Sequence, residues 1–539
     1  MQTNHKTTDL KTHNALLWVF SFFLIGFILR IHKLGAHNLW FDELQSVRNL
    51  GILIPDYNPP LFYVLLSFWA KFFGPLLSKC PISGEFILRF LPMIFGAFAV
   101  PLIYGLGKQF FNIKTGLISA FILSISPLHI WYSQEARGYS LSVFLVMLTT
   151  YFFVLALKKN KFYFWIWFVI LSFLGLYTNY FYFFIIILVG VFFIFRAHRS
   201  VLRPYLLSLC FIFFGFLPFL PWLFRQVMML KTNFWIQKLH SDSIVITLEN
   251  FNIGYNGTTQ MYNFTFMVFS LLFFSGILLW WKEKKKELTV LALFIGIPII
   301  TTFLISKLLP VYLDRQMMLY SPFYYILVAA GLEKIKLRFL QVLVYLSLLA
   351  PTLLCLNNYF SYNMPLPQFH HIGVHVKKPV KPAADYINRN FAEGDIIAIS
   401  HFSIHSIIFY LLPDMKENIF YFFDEPKFSN ARFEYDMLKK FSKSRLNTVV
   451  AENTIHLEKG TDFPGAKSIR DMEFRRIWLI SSSWARDDEL ELHVQAVRNF
   501  MLSHYSLLDS KNFEGIYVDL FLNNDNKTES APSTNDALE

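Results

Sequence analysis

Two short stretches hold the residue types that can take up a proton and meet a departing anion. Trp40-Phe41-Asp42-Glu43 sets two adjacent carboxylates among aromatics just after the first long apolar segment. Tyr132-Ser133-Gln134-Glu135-Ala136-Arg137 places a third carboxylate and an arginine just beyond another. A positioned carboxylate that accepts the proton of an attacking hydroxyl typically contributes about 10²- to 10⁴-fold in rate. A fixed cation or a metal ion stabilises charge growing on a leaving anion. Arg137, flanked by Glu135 and Tyr139, has the chemistry for that second task. Each feature also has a plainer reading: a carboxylate pair beside Trp40 suits a helix cap at a membrane edge, and an arginine at a helix end snorkels to the interface. The stretches form one site only if the elements between them bring both to the same face of a membrane.

The composition requires a membrane. Of 539 residues, 55% are hydrophobic, 19% aromatic and only 16% charged, against about 25% charged in globular chains. The net charge of +12 comes largely from short basic clusters between apolar segments, which fits cytoplasmic loops rather than a nucleic-acid surface. Cys80, Cys210 and Cys355 are scattered, with neither disulfide nor zinc spacing. No internal repeat, GxGxxG or GxxxxGKS/T pattern points to a nucleotide site. Residues 15 to 31 run too long for a signal peptide and lack a small-residue cleavage site, which gives an uncleaved first span.

Spanning helices of about 20 apolar residues are expected at 14–31, 88–107, 116–133, 138–157, 162–178, 179–195, 205–222, 263–281, 288–306, 315–332 and 339–357, eleven in all. Basic connections at Lys108 with Lys114, 158–161, 196–203, 282–286 and 334–338 alternate with basic-poor ones. The positive-inside rule then puts the N-terminus in the cytoplasm, and residues 32–87, 132–138, 223–262, 307–314 and everything after 357 outside. Residues 60–74 are apolar but short, and counting them would invert every later loop. They are read as an interfacial helix within a long first external loop, 32–87, with a true span as the alternative. Beyond residue 360 the pattern changes: an amphipathic helix at 380–391, strands at 395–400 and 476–481, a helix at 487–503 and a strand at 515–522 describe a small α/β domain. The expected organisation is a membrane domain 1–360, an extracytoplasmic α/β domain 361–522 and a disordered tail 523–539.

The ordered motifs resemble one family. Trp40-Phe41-Asp42-Glu43, Asp56-Tyr57-Asn58-Pro59-Pro60-Leu61-Phe62-Tyr63, Phe86-Ile87-Leu88-Arg89-Phe90-Leu91-Pro92, the run from Ser126 through Gln134-Glu135-Ala136-Arg137-Gly138-Tyr139, and Leu176-Tyr177-Thr178-Asn179-Tyr180 together resemble the GT-C membrane glycosyltransferases. Among these they resemble the family related to the dolichyl-phosphate-mannose protein mannosyltransferases and the bacterial lipid A aminoarabinose transferases. The resemblance covers about the first 220 residues. It implies a polyprenyl-phosphate sugar donor, a lipid, glycan or protein acceptor on the outer face, and inversion at the anomeric carbon.

By the same likeness Asp42 is the base, Glu43 orients it or binds the acceptor, and Glu135 completes the acidic set. Arg137 and Arg315 meet the donor phosphate, Arg315 because the family often has an Arg-Tyr pair there. Asp56, Asn58, Tyr139 and Asn179 support the site. The family leaves metal dependence open: an ion held by Asp42, Asp56 and Glu135 is the form it would take. Asn58 and Asn179 stand where relatives usually carry histidine, and amides bond but do not titrate, which weighs against histidine ligands. The resemblance and the loop charges together imply a multi-pass protein of a bacterial inner membrane. Competing readings are a polyprenyl-linked sugar transporter or flippase and a non-catalytic membrane assembly protein. A transporter would carry ionisable residues within several spans, whereas the acids here cluster at span ends.

Overall fold

The computed structural model describes residues 2–51, 58–77, 83–196, 199–230, 239–309, 311–361, 363, 380–399, 407–412, 415, 418–422, 454–456, 467–468, 474–482, 488–513 and 515–523. The chain divides into two compact units. One is Met1–Ala36 with Gln45–Val376, and the other is His37–Leu44 with Lys377–Glu539.

The first unit is helical. In order it contains α1 (Gln2–Ile31), α3 (Leu61–Leu77), α4 (Gly84–Phe110), α5 (Ile113–Ile125), α6 (Pro127–Ser133), α7 (Tyr139–Lys159), α8 (Phe162–Leu176), α9 (Phe183–Arg196), α10 (Leu202–Phe216), α11 (Leu220–Leu230), α12 (Ser243–Ile253), α13 (Thr259–Ser306), α14 (Asp314–Met317), α15 (Ser321–Glu333) and α16 (Arg338–Phe360). The short α2 (Phe41–Arg48) straddles the division between the units. The apolar segments read from the sequence all lie on these helices. Among the described residues six helical stretches, one of them α10 and α11 taken together over Leu202–Met228, are long and apolar enough to cross a membrane, or seven if α5 and α6 form one bent span. Helix α13 is broken at Lys284 (φ −133°, ψ 31°), inside the 282–286 basic cluster. Helix α3 carries the 60–74 stretch. Its 17 residues reach about 26 Å at 1.5 Å per residue, short of the ~30 Å hydrocarbon core.

Two local devices fix the helix framework. Helix α15 is apolar all round and buried all round, with Phe323, Tyr325, Ile326 and Leu327 wholly enclosed, as a helix without a polar stripe must be. A Cβ on Gly276 would overlap the Leu327 carbonyl, and one on Gly331 the Leu272 carbonyl. Glycine therefore lets α13 and α15 meet backbone to backbone, the small-residue packing that holds helices together in lipid.

The second device is the 57° bend between α5 and α6. Pro127 has no N–H to continue α5, and Ser126 instead caps α6 by accepting from the His129 N–H. The carbonyls left open at the end of α5 are met by Arg30. Its fully buried guanidinium donates to the carbonyls of Leu123 and Ser124 at 3.0 Å each, to that of Gly26 at 3.0 Å, and to Ser133 Oγ at 3.2 Å. A cation at a helix C-terminus also opposes the helix dipole.

The second unit is an α/β layer. Its sheet runs β4-β3-β2-β1-β5-β7-β6, from β1 (Asp395–Ile399), β2 (Ile419–Phe422), β3 (Thr454–His456), β4 (Lys467–Ser468), β5 (Arg476–Ser482), β6 (Ser506–Phe513) and β7 (Ile516–Leu522). The first five pair in parallel, and β7 pairs antiparallel with both β5 and β6. Side chains alternate to the two faces, as the pleat requires. Helix α17 (Val380–Asn390) packs on Ile397, Ile399, Trp478 and Ile480. Helix α18 (Asp488–His504) packs on Ile396, Ala398, Ile477 and Leu479. Buried Asp395 is matched by Arg476 at 2.6 Å and by the Trp478 indole at 2.9 Å.

Candidate active site

Within the helical unit, four separated stretches converge. The first is the Asn58 to Tyr63 entry into α3, where the Leu61 N–H donates to the Tyr177 carbonyl at 2.9 Å. The second is the 134–138 connection between α6 and α7, which holds Glu135 and Arg137. The third is the turn after α8, where Asn179 caps a short 3-10 turn through the Phe181 N–H. The fourth is α14, which begins at Asp314 and carries Arg315 and Gln316.

The connection that carries the second acidic cluster is anchored by Gln134. Its amide donates to the carbonyls of Arg30 at 2.8 Å and His32 at 2.7 Å, and its oxygen accepts from Tyr359 at 2.8 Å. Next to it, Glu135 is almost fully buried, with Oε1 accepting from the Trp131 indole at 2.7 Å. Arg137 is 7% exposed and donates through Nη1 to Tyr63 Oη at 2.8 Å, with the guanidinium 5.9 Å from the Tyr63 ring centre. Arg315, 3% exposed, lies 5.9 Å from the ring centre of Tyr139, two residues after Arg137. Asn179 donates to Gln316 Oε1 at 2.8 Å, which ties the third stretch to the fourth. The structure thus brings Arg137, Tyr139, Asn179 and Arg315 into one buried cluster, with Glu135 on the same connection as Arg137. Each of the two buried cations is set against a tyrosine, Arg137 against Tyr63 and Arg315 against Tyr139.

Several members of this cluster were not picked out from sequence. Tyr63 and Gln316 are the hydrogen-bond partners of Arg137 and Asn179. Asp314 is 1% exposed, accepts from Asn250 at 2.7 Å and bonds Tyr255, whose hydroxyl meets that of Tyr132 at 2.7 Å. Tyr132 in turn sets its ring edge-on to Tyr139 at 4.9 Å. Burial raises the Asp314 carboxyl to about 6, against the opposing help of Asn250, Tyr255 and Arg315. An acidic residue directly before Arg315 at the mouth of a span was the one available signal. His129 pairs with Ser321 Oγ at 2.8 Å and so joins α6 to α15.

Asp42 and Glu43 lie in the second unit. Glu43 is fully buried and accepts from the Trp40 N–H at 3.2 Å, the side-chain-to-N-cap half of a capping box. Asp42, in the same first turn, is partly exposed. Asn58 is partly exposed, and Asp56 lies outside the described residues. Among the described residues no group of three or more His, Cys, Asp or Glu side chains is disposed to hold a metal ion. The ligand set that includes Asp56 therefore remains a matter of sequence alone.

Residues 58–224, which carry three of the four converging stretches, match the family model described as dolichyl-phosphate-mannose-protein mannosyltransferase. Solved structures of two proteins agree in fold. ArnT from Cupriavidus metallidurans superposes with a TM-score of 0.58 at 10% identity, covering 94% of this chain and 98% of that one. The chain has the GT-C fold. A second structure of ArnT, bound to undecaprenyl phosphate, gives the same TM-score at 10% identity over 93% of this GT-C chain and 98% of that chain. The archaeal oligosaccharyltransferase AglB from Archaeoglobus fulgidus, in complex with an inhibitory peptide and a dolichol-phosphate, gives 0.50 at 12% identity over 94% of this chain and 74% of its own. No curated protein matches the GT-C chain in sequence.

Proposed function

We propose that this GT-C protein is an inverting glycosyltransferase that moves a sugar from a polyprenyl phosphate to an acceptor hydroxyl at the outer face of a bacterial inner membrane. The observation that supports the reading is that Arg137 and Arg315 are both buried, Arg137 donating to Tyr63 and Arg315 lying against the Tyr139 ring, with Arg137 inside the region matched by the mannosyltransferase family model. The polyprenyl phosphates bound to ArnT and AglB support the same class of donor. A donor of this kind keeps its tail in lipid and its phosphate at headgroup depth, so its receptor belongs at helix ends.

In the proposed reaction the acceptor oxygen attacks the anomeric carbon from the face opposite the phosphate. Asp42 takes the hydroxyl proton. The carbon–oxygen bond to the phosphate breaks, and the phosphate leaves with the bonding pair. Arg137 and Arg315 balance the charge that grows on it, and a single displacement inverts the centre. Glu43 fixes the turn that presents Asp42, and Glu135 orders the connection beside Arg137. Asn58 and Asn179 line the same region as amide donors, and Asp56 belongs to the same loop as Asn58. The N-terminus is cytoplasmic and the α/β domain extracytoplasmic in this arrangement.

Asp42→Asn is the test. In protein that folds as the wild type, transfer from radiolabelled undecaprenyl-phosphate mannose should fall by at least about 100-fold. Transfer within a few-fold of wild type would remove Asp42 from the role of base.

A further inference from the structure

The stretch with the carboxylate pair is continuous with α1, yet His37–Leu44 clusters with the C-terminal α/β residues rather than with the helices. One contact between the two is a backbone bond. The Leu39 N–H, three residues before Asp42, donates to Tyr410 Oη at 2.9 Å. Tyr410 is itself fixed. Its ring packs against the sheet core that holds Trp478 and Ile480. Its carbonyl accepts from Asn388 Nδ2 at 2.9 Å, and the Asn388 oxygen accepts from the Leu412 N–H at 3.2 Å. Asn388 lies on α17, so that helix clamps the turn and the turn holds the stretch. Leu39, Trp40 and Leu44 are buried, with Leu39 1% exposed.

We infer that the α/β unit has a direct part in the reaction, as the body that fixes the Asp42-Glu43 turn, and that Tyr410 is the positioning residue. A buried N–H that loses its acceptor is costly to leave unpaired. Leu39 therefore has one low-energy position, and the helical turn that begins at Phe41 starts from it. This consequence for catalysis rests on Asp42 being the base, whereas the anchoring itself does not.

The test uses the full-length protein in lipid nanodiscs. Tyr410→Phe keeps the ring and removes the acceptor. Deuterium uptake by peptides covering residues 37–44 should become about tenfold faster, while peptides from α4 and α13 keep their wild-type rates. With undecaprenyl-phosphate mannose as donor probe, kcat should fall about tenfold and the donor KM stay within twofold. Unchanged uptake at 37–44 overturns the anchoring, and so does faster uptake throughout the chain. A raised KM with kcat retained would assign Tyr410 to donor binding and also overturn the inference. Should Tyr410→Phe not fold, Asn388→Ala loosens the turn with the hydroxyl retained and is read by the same criteria. If Asp42→Asn keeps transfer while the uptake result holds, the base assignment fails and the anchoring stands.

Discussion

Tyr63→Phe removes a single oxygen from the cluster and makes a demanding prediction. The ring stays, so the packing of α3 and the contact between the Arg137 cation and the aromatic face are kept. The 2.8 Å bond that Arg137 donates to the hydroxyl is lost. Hydrogen bonds involving a charged partner contribute about 1.5–3 kcal/mol, which at 1.4 kcal/mol per decade is roughly 10- to 150-fold. The retained cation–π contact and water entering the gap offset part of this. The expected result is therefore near the low end, an affinity for undecaprenyl phosphate about tenfold weaker than wild type. Arg137→Met, which removes the charge itself, should weaken binding about 100-fold or more. The assay is titration of undecaprenyl phosphate into nanodisc-embedded protein, read by intrinsic tryptophan fluorescence, with thermal unfolding as the control for folding. If both variants fold and bind within twofold of wild type, Arg137 does not hold the phosphate and the reasoning built on it is wrong.

Two further changes probe the framework. Gln134→Leu leaves the Tyr359 hydroxyl and the Arg30 and His32 carbonyls without the amide that now joins them. At about 1–3 kcal/mol for a stranded buried group, thermal unfolding in detergent should show a clear loss of stability, roughly 2–5 kcal/mol. Asp314→Asn tests the buried carboxyl. Its folded value of about 6 lies above the unfolded value of about 3.9. Its stabilising contribution is therefore complete below about pH 4 and is lost as the pH rises through 6, by up to about 3 kcal/mol at 1.36 kcal/mol per unit. The wild type should thus lose stability between pH 4 and 7. The variant should show a flatter profile of melting temperature against pH, and an unchanged slope contradicts the assignment.

Much of this molecule is written in segment length and charge. Twenty-residue apolar runs, basic clusters between them and the order of the aromatic and acidic motifs were enough for a polytopic GT-C fold. The short, continuous apolar runs of β1 and β5 mark the α/β domain, because both strands are buried on two faces. Strand β6 left no such mark. It is an edge strand with mostly exposed residues, Ser506-Leu507-Leu508-Asp509-Ser510-Lys511-Asn512-Phe513, and carries a bulge between Leu507 and Asp509. Its pairing is set by β7 rather than by burial.

In the site, Arg137, Tyr139, Asn179 and Arg315 were named from motif order, whereas their partners were not. Tyr63 lies 74 positions from Arg137 and Gln316 137 positions from Asn179. Such pairs are created by helix packing, which no local spacing encodes. A loop carboxylate such as Asp314 reads as solvated in sequence, and only the fold encloses it. The link from Leu39 to Tyr410 joins residues 371 positions apart and assigns the first acidic stretch to a body that sequence order does not suggest. For Glu43 the sequence left a cap and a catalytic role both open, and the bond to the Trp40 N–H supplies the cap.

The most direct measurement is a cryo-EM structure of the full chain with undecaprenyl phosphate. The phosphate is expected within about 3 Å of both the Arg137 and Arg315 guanidinium groups, with the Asp42 carboxylate facing the position where the anomeric carbon would lie. A phosphate held away from the two arginines, or Asp42 on the opposite side of the membrane from it, contradicts the account.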